Sequence, residues 1–196
     1  IDGTYKNKKC TYTNYLSLEE DTIKASTSNN KIILKNMNIV SSQGYGVIFV
    51  PSHPNYSNVV VEYNNVNFNG VELSNNYYGI TKIIDSIIEV KDTNNVSAQR
   101  VCNSNRIIID GISVITSNSN TNTVFFFNDV IPSFLKIMPN SKVSITTNRE
   151  LMNGTNRMDL IVGHGSEFLL TTGNGFAITT THGARNVLIE EMANFI

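Results

Sequence analysis

The chain has 196 residues, 40% of them hydrophobic, and its 15 basic and 16 acidic side chains give a formal net charge of -1. That is about one domain, with enough apolar material for its own core. Its charged fraction of 16%, against about 25% in ordinary domains, excludes nucleic acid and anionic membrane as the main electrostatic partners.

Polarity is carried instead by uncharged side chains, with Asn alone at about 15%, well above its usual share. The two cysteines, Cys10 and Cys102, define neither a disulfide scaffold nor a zinc site. No cationic region followed by an apolar signal segment is present, and no apolar run approaches about 18 residues, so no membrane insertion is expected. The opening Ile1-Asp2-Gly3 reads as the start of a piece of a longer, exported protein.

In chain order, residues 1–30 read as a cap or an incomplete first coil, and residues 31–196 as a repeat. Its unit is a short apolar run, a polar turn, then apolar-x-apolar. The first copy is Ile32-Ile33-Leu34 with Met37-Asn38-Ile39, and the second is Val59-Val60-Val61 with Val66-Asn67-Phe68. Ile83-Ile84 with Ile88-Glu89-Val90, and Ile107-Ile108-Ile109 with Ile112-Ser113-Val114, follow. Residues 116–123, TSNSNTNT, read as a protruding loop between copies. Longer turns separate Leu135 and Ile137 from Val143-Ser144-Ile145, and Leu160-Ile161-Val162 from Phe168-Leu169-Leu170. Val187-Leu188-Ile189 with Met192 and Phe195 is a last, weak copy.

The interval between copies, about 22 to 31 residues, is a solenoid period. The copies are β-branched and bounded by Asn, Asp and Gly, which favours strands and turns over helices. The expected architecture is all-β: a single right-handed parallel β-helix domain, about six to seven coils stacked at about 4.8 Å, a rod of roughly 30 to 35 Å. Inward Ile, Val and Phe lie on those of the next coil. Turn Asn, Asp and Gly tolerate the left-handed region, and Asn side chains bond from coil to coil. An antiparallel β-sandwich is the opposing fold, but it gives no reason for a recurring turn slot. Cys10 and Cys102 then lie about three coils, or about 14 Å, apart, beyond the roughly 4.4 to 6.8 Å a disulfide spans, and are expected as free thiols. Further coils are expected before Ile1, because solenoid ends need caps.

In this order, LKNMNI, YGVIFVP, VVVEYNNVNFNG, AQRVCNSNRIIIDG, MPNSKVSITT and VGHGSEFLLTT resemble the pectate-lyase-like adhesive domain of large surface proteins of Gram-positive bacteria, from about Lys31 to Thr181. The resemblance implies a parallel β-helix displayed on the cell wall, serving in attachment without a cofactor. It supplies no catalytic or binding residues to transfer.

Gly163-His164-Gly165 resembles a tripeptide of pectin-degrading hydrolases, which place an adjacent Asp pair and a further Asp in the coils before it. This chain has no Asp-Asp pair, and Glu19-Glu20-Asp21 and Glu190-Glu191 are expected far from His164 in coil order. His164 therefore reads as a solvent-facing turn residue, as do His53 and His182. Asp85 and Asp110 fall at similar slots of consecutive coils. With only Asn64 or Ser86 as company, they fall short of the six to eight oxygens a hard cation takes, and they read as turn residues. No catalytic residue, metal ligand or cofactor is expected.

Aromatic residues are the remaining ligand-binding candidates. Phe125-Phe126-Phe127 in an alternating strand cannot all face inward, which singles out Phe126, and Tyr77 and Tyr78 sit in an Asn-rich stretch. The expected function is a non-catalytic adhesive module of a bacterial cell-surface protein. Its partners would be a host or matrix protein or glycan, and other domains of the same chain. A β-helix polysaccharide lyase or hydrolase, and a passive structural stalk, are the alternatives.

Overall fold

A computed structural model of the chain describes residues 1–13, 16–17, 30–42, 46–50, 54–92, 99–127, 133–154, 158–173, 178–180 and 185–196. His53, His182 and Glu19-Glu20-Asp21 lie outside the described residues. The fold is all-β: a parallel β-helix in which the chain winds repeatedly through three ladders of parallel strands.

The first ladder stacks the strand segments that begin at Lys31, Val60, Ile80, Arg106, Ser133, Met158 and Arg185. The second, reached after a turn, stacks those beginning at Lys8, Met37, Val66, Ile87, Ile112, Lys142, Glu167 and Asn194. The third stacks those beginning at Leu16, Ile48, Ser74, Cys102, Phe125, Met152 and Ile178. Among the described residues one pairing is antiparallel: Thr4–Tyr5 folds back on Lys8–Tyr12, pairing with Lys8 and Lys9, so a lysine-bearing hairpin lies along the strand edge at the N-terminal end.

Alternation decides what is buried. In the first ladder the column Leu34, Tyr63, Ile83, Ile109, Ile137, Val162 is at most 1% exposed, each side chain resting on the next rung. Ile189 continues that column at 46% exposure, because no described rung lies beyond it. β-branched side chains suit this site, since their restricted χ1 costs little on a pleated, stacked surface.

The turn between the first and second ladders holds one left-handed residue after another: Asn36, Asn65, Asp85, Gly111, Asn140, Gly165 and Met192, with φ between 47° and 64°. Asn and Asp reach this region at lower cost than other side chains and bond locally. The Asn65 side-chain amide donates to Asn36 Oδ1 at 2.9 Å, one rung away. The expected coil-to-coil amide bonding is thus present.

Two expectations are corrected. Ile112 and Val114 do not face inward; they are 69% and 43% exposed, while Ser113 and Ile115 take the interior. The cause is turn length. Asp85 alone separates Ile84 from Ser86, whereas Gly111 and Ile112 separate Asp110 from Ser113, the residues that pair with them in the two ladders. One extra turn residue reverses which alternate positions point inward. Residues 116–123 form a loop only in part: Asn118, Asn120 and Thr121 are exposed outside the strands. Thr116 and Ser117 complete the strand Ile112–Ser117, and Ser119 is buried, its hydroxyl accepting the backbone N–H groups of Thr121 and Asn122 at 3.3 and 3.0 Å. A buried serine anchors the bend.

Both cysteines are free: Cys10 is exposed in the second ladder, and Cys102 is buried in the third, three rungs further along.

Candidate functional site

The third ladder carries the only aromatic candidate of the three that lies on a regular strand face. Phe125 and Phe127 are 0% and 1% exposed, and the residue between them, Phe126, points outward and is half-buried. Its rung neighbours are Asn103 on one side and Asn153 on the other, with Asn75 one rung beyond Asn103. An aromatic ring therefore stands in a column of amides. The Arg100 guanidinium lies over the ring, its Cζ 5.0 Å from the centroid.

Arg100 is held from the other side by Glu72, its in-register neighbour, with Nε 3.8 Å from Oε1. This is too long for a hydrogen bond. Among the described residues, Glu72 Oε2 and Arg100 Nε find no hydrogen-bond partner. Burial pushes the Glu72 carboxyl up to about 8, and the attraction of Arg100 only partly offsets it. Burial likewise lowers the guanidinium, and Glu72 opposes that shift. Near neutral pH the pair is chiefly a carboxylic acid beside a guanidinium. At 1% exposure Glu72 cannot reach a molecule on the outer face, so its raised pKa sets the charge beside Arg100 and does not make it a proton donor to a ligand.

Tyr77 and Tyr78 lie where the pairing of Glu72–Ile84 with Arg100–Asp110 shifts register, between Asn76 and Ile80. Their ring centroids are 4.8 Å apart, both side chains are partly exposed, and the Tyr78 carbonyl accepts from Arg106 Nη2 at 3.1 Å. Beneath this corner lies a buried polar knot that the sequence did not signal. Thr81 donates to Ser104 Oγ at 3.2 Å, and the Asn76 amide bonds the carbonyls of Val59 and Ile80 at 3.2 and 3.0 Å. The tyrosine pair and Phe126 are separate: Phe126 is two rungs from Asn75, about 10 Å along the axis.

His164 is exposed in a two-residue turn with Gly165. The expectation that Glu190 lies far from it is wrong. Gly163 follows Val162, and Glu190 follows Ile189, in paired strands, so Glu190 sits in the same turn one coil later. Its Oε2 accepts the His164 backbone N–H at 2.8 Å. That bond orders the turn through the backbone and leaves the imidazole out of it.

The Asp85 and Asp110 carboxylates also serve turns. Asp85 Oδ1 accepts Ile112 N at 2.9 Å, and Asp110 Oδ1 accepts Gly111 N and Ser141 Oγ at 2.8 and 3.1 Å. Ser86 faces the interior, where its hydroxyl accepts Val66 N at 3.0 Å. Among the described residues no group of three His, Cys, Asp or Glu side chains is placed to hold a metal ion.

Sequence reasoning found Phe126 through strand alternation but missed Glu72, Arg100, Asn103 and Asn153. Only coil register brings these together. Comparisons with family models, with curated proteins and with solved structures give no match to this chain.

Proposed function

We propose that the chain is a non-catalytic adhesive module of a bacterial cell-surface protein, of the pectate-lyase-like β-helix type, and that it holds a glycan or a matrix protein on the outer face of its third ladder. The observation that carries this reading is the setting of Phe126: a half-buried ring between Asn103 and Asn153, with the Arg100 guanidinium above it. A ring offers an apolar platform, the amide nitrogens of Asn103 and Asn153 offer donors, and a guanidinium offers charge-assisted donors. Together these suit a ligand with both apolar and hydroxylated surface.

The solenoid supports this role physically. Every coil adds an outward column without disturbing the core, so a ligand face can be long while its supports stay rigid. An enzyme reading draws on Glu72, yet that carboxyl is sealed from the outer face.

The test is a binding screen of the 196-residue chain against immobilised glycans and matrix proteins, repeated with Phe126→Ala. The reading expects at least one ligand retained by the wild type and weakened about tenfold or more by the variant. Unchanged binding by Phe126→Ala would remove this face from the account.

A further inference from the structure

The outer face of the second ladder carries a different constellation, on another side of the solenoid from Phe126. Asn38, Asn67 and Ile87 form one outward column across three rungs, and Val40, Asn69 and Glu89 form the next. Between them lies a trough of about 330 Å³. Its floor is set by the buried Ile39 and Phe68, which hold the strands on the core.

The polar groups are ordered by one another. Asn67 Nδ2 donates to Asn38 Oδ1 at 3.1 Å, Asn69 Nδ2 donates to Glu89 Oε2 at 2.8 Å, and Lys9 Nζ reaches over to donate to Asn67 Oδ1 at 3.2 Å. Each amide nitrogen carries two hydrogens and the carboxylate about four acceptor positions, so these bonds leave capacity for a ligand. The aliphatic members, Val40 and Ile87, are 47% and 55% exposed at opposite corners.

We infer that this trough is a second binding site, and that it takes a neutral pyranose unit presenting neighbouring hydroxyl groups. Three features select that class. The hydrogen-bonded Asn69 and Glu89 offer a donor and an acceptor side by side, which a vicinal diol satisfies with one hydroxyl accepting and the other donating. Charges of both signs, Lys9 and Glu89, border the trough, so neither a strongly anionic nor a strongly cationic ligand is favoured. An extended peptide has no edge to join, because the strand Val60–Gly70 is paired on both sides. The volume is at the small end of ligand sites, which suits one sugar ring gripped weakly and repeated along a chain.

The experiment is a titration of the isotope-labelled 196-residue chain with methyl α-mannopyranoside, followed through backbone and side-chain amide resonances. The Asn38, Asn67 and Asn69 side-chain amides should shift together and saturate with a Kd of about 1 mM. Asn69→Ala with Glu89→Gln, both outward substitutions, should keep the dispersed spectrum and weaken binding about tenfold. Phe126→Ala should leave these shifts in place. Glucuronate should bind more weakly than the mannoside. Absent shifts, shifts that persist at the same affinity in the double variant, or tighter binding of glucuronate would each overturn the assignment. Shifts confined to the Phe126 face would overturn it while leaving the first site standing.

Discussion

Glu72 and Arg100 stand opposite each other on adjacent rungs, a buried acid and a guanidinium whose closest approach is 3.8 Å. Because the Glu72 carboxyl is raised to about 8, the folded chain holds a proton there that the unfolded chain releases above its ordinary value of 4.5. Between those two values the native state binds more protons than the unfolded state, so this group makes stability fall as pH rises, and the loss levels off above about 8.

Glu72→Gln should therefore be more stable than wild type at about pH 8, and the gap should shrink towards about pH 5. Each pKa unit corresponds to about 1.4 kcal/mol at most. Urea midpoints of the two proteins across that range measure it. A wild-type midpoint that rises with pH while the variant's stays flat would mean that Glu72 is a stabilising carboxylate.

Phe125→Ala and Phe126→Ala should separate stability from binding. The first removes a ring that is 0% exposed and should cost about 3 to 5 kcal/mol. The second removes a half-buried outward ring, with a cation-π contact worth about 1 kcal/mol, and should cost much less while weakening ligand retention. Paired denaturation and binding curves give both numbers.

The His164 turn should tolerate loss of its imidazole and resist a change at its glycine. His164→Ala should alter stability by no more than about 0.5 kcal/mol, since it is the His164 backbone N–H that donates to Glu190. Gly165 has φ +64°, and a Cβ there would lie 2.7 Å from Asn140 Oδ1. Gly165→Val should thus cost about 1 to 3 kcal/mol. Thermal melts of the two variants would show the ranking.

Position along the solenoid should matter as much as residue type. Val162 and Ile189 occupy the same inward column on adjacent rungs, yet they are 0% and 46% exposed. Val162→Ala should cost about 2 kcal/mol or more, and Ile189→Ala, although it removes a larger side chain, less than that. Equal losses would show that the last rung is covered.

The parallel β-helix was legible in the sequence because two signals agree on it. The apolar columns recur at coil spacing, and an Asn, Asp or Gly recurs where the backbone must enter the left-handed region, as at Asn36, Asn65, Asp85 and Gly165. Phe126 was legible through alternation alone. The orientation of Ile112 and Val114 was not, because apolar residues at 112, 114 and 115 fit either phase, and one extra turn residue decides between them. Glu72 with Arg100, and His164 with Glu190, are 28 and 26 residues apart. Their contacts depend on the length of one particular coil, which varies along this chain.

Adhesion without turnover is decided by incubating the chain with polygalacturonate and other acidic and neutral polysaccharides. The expected result is retention of at least one glycan or matrix ligand, dependent on Phe126, with no new reducing ends and no unsaturated products. Appearance of such products, abolished by His164→Ala and untouched by Phe126→Ala, would contradict the account.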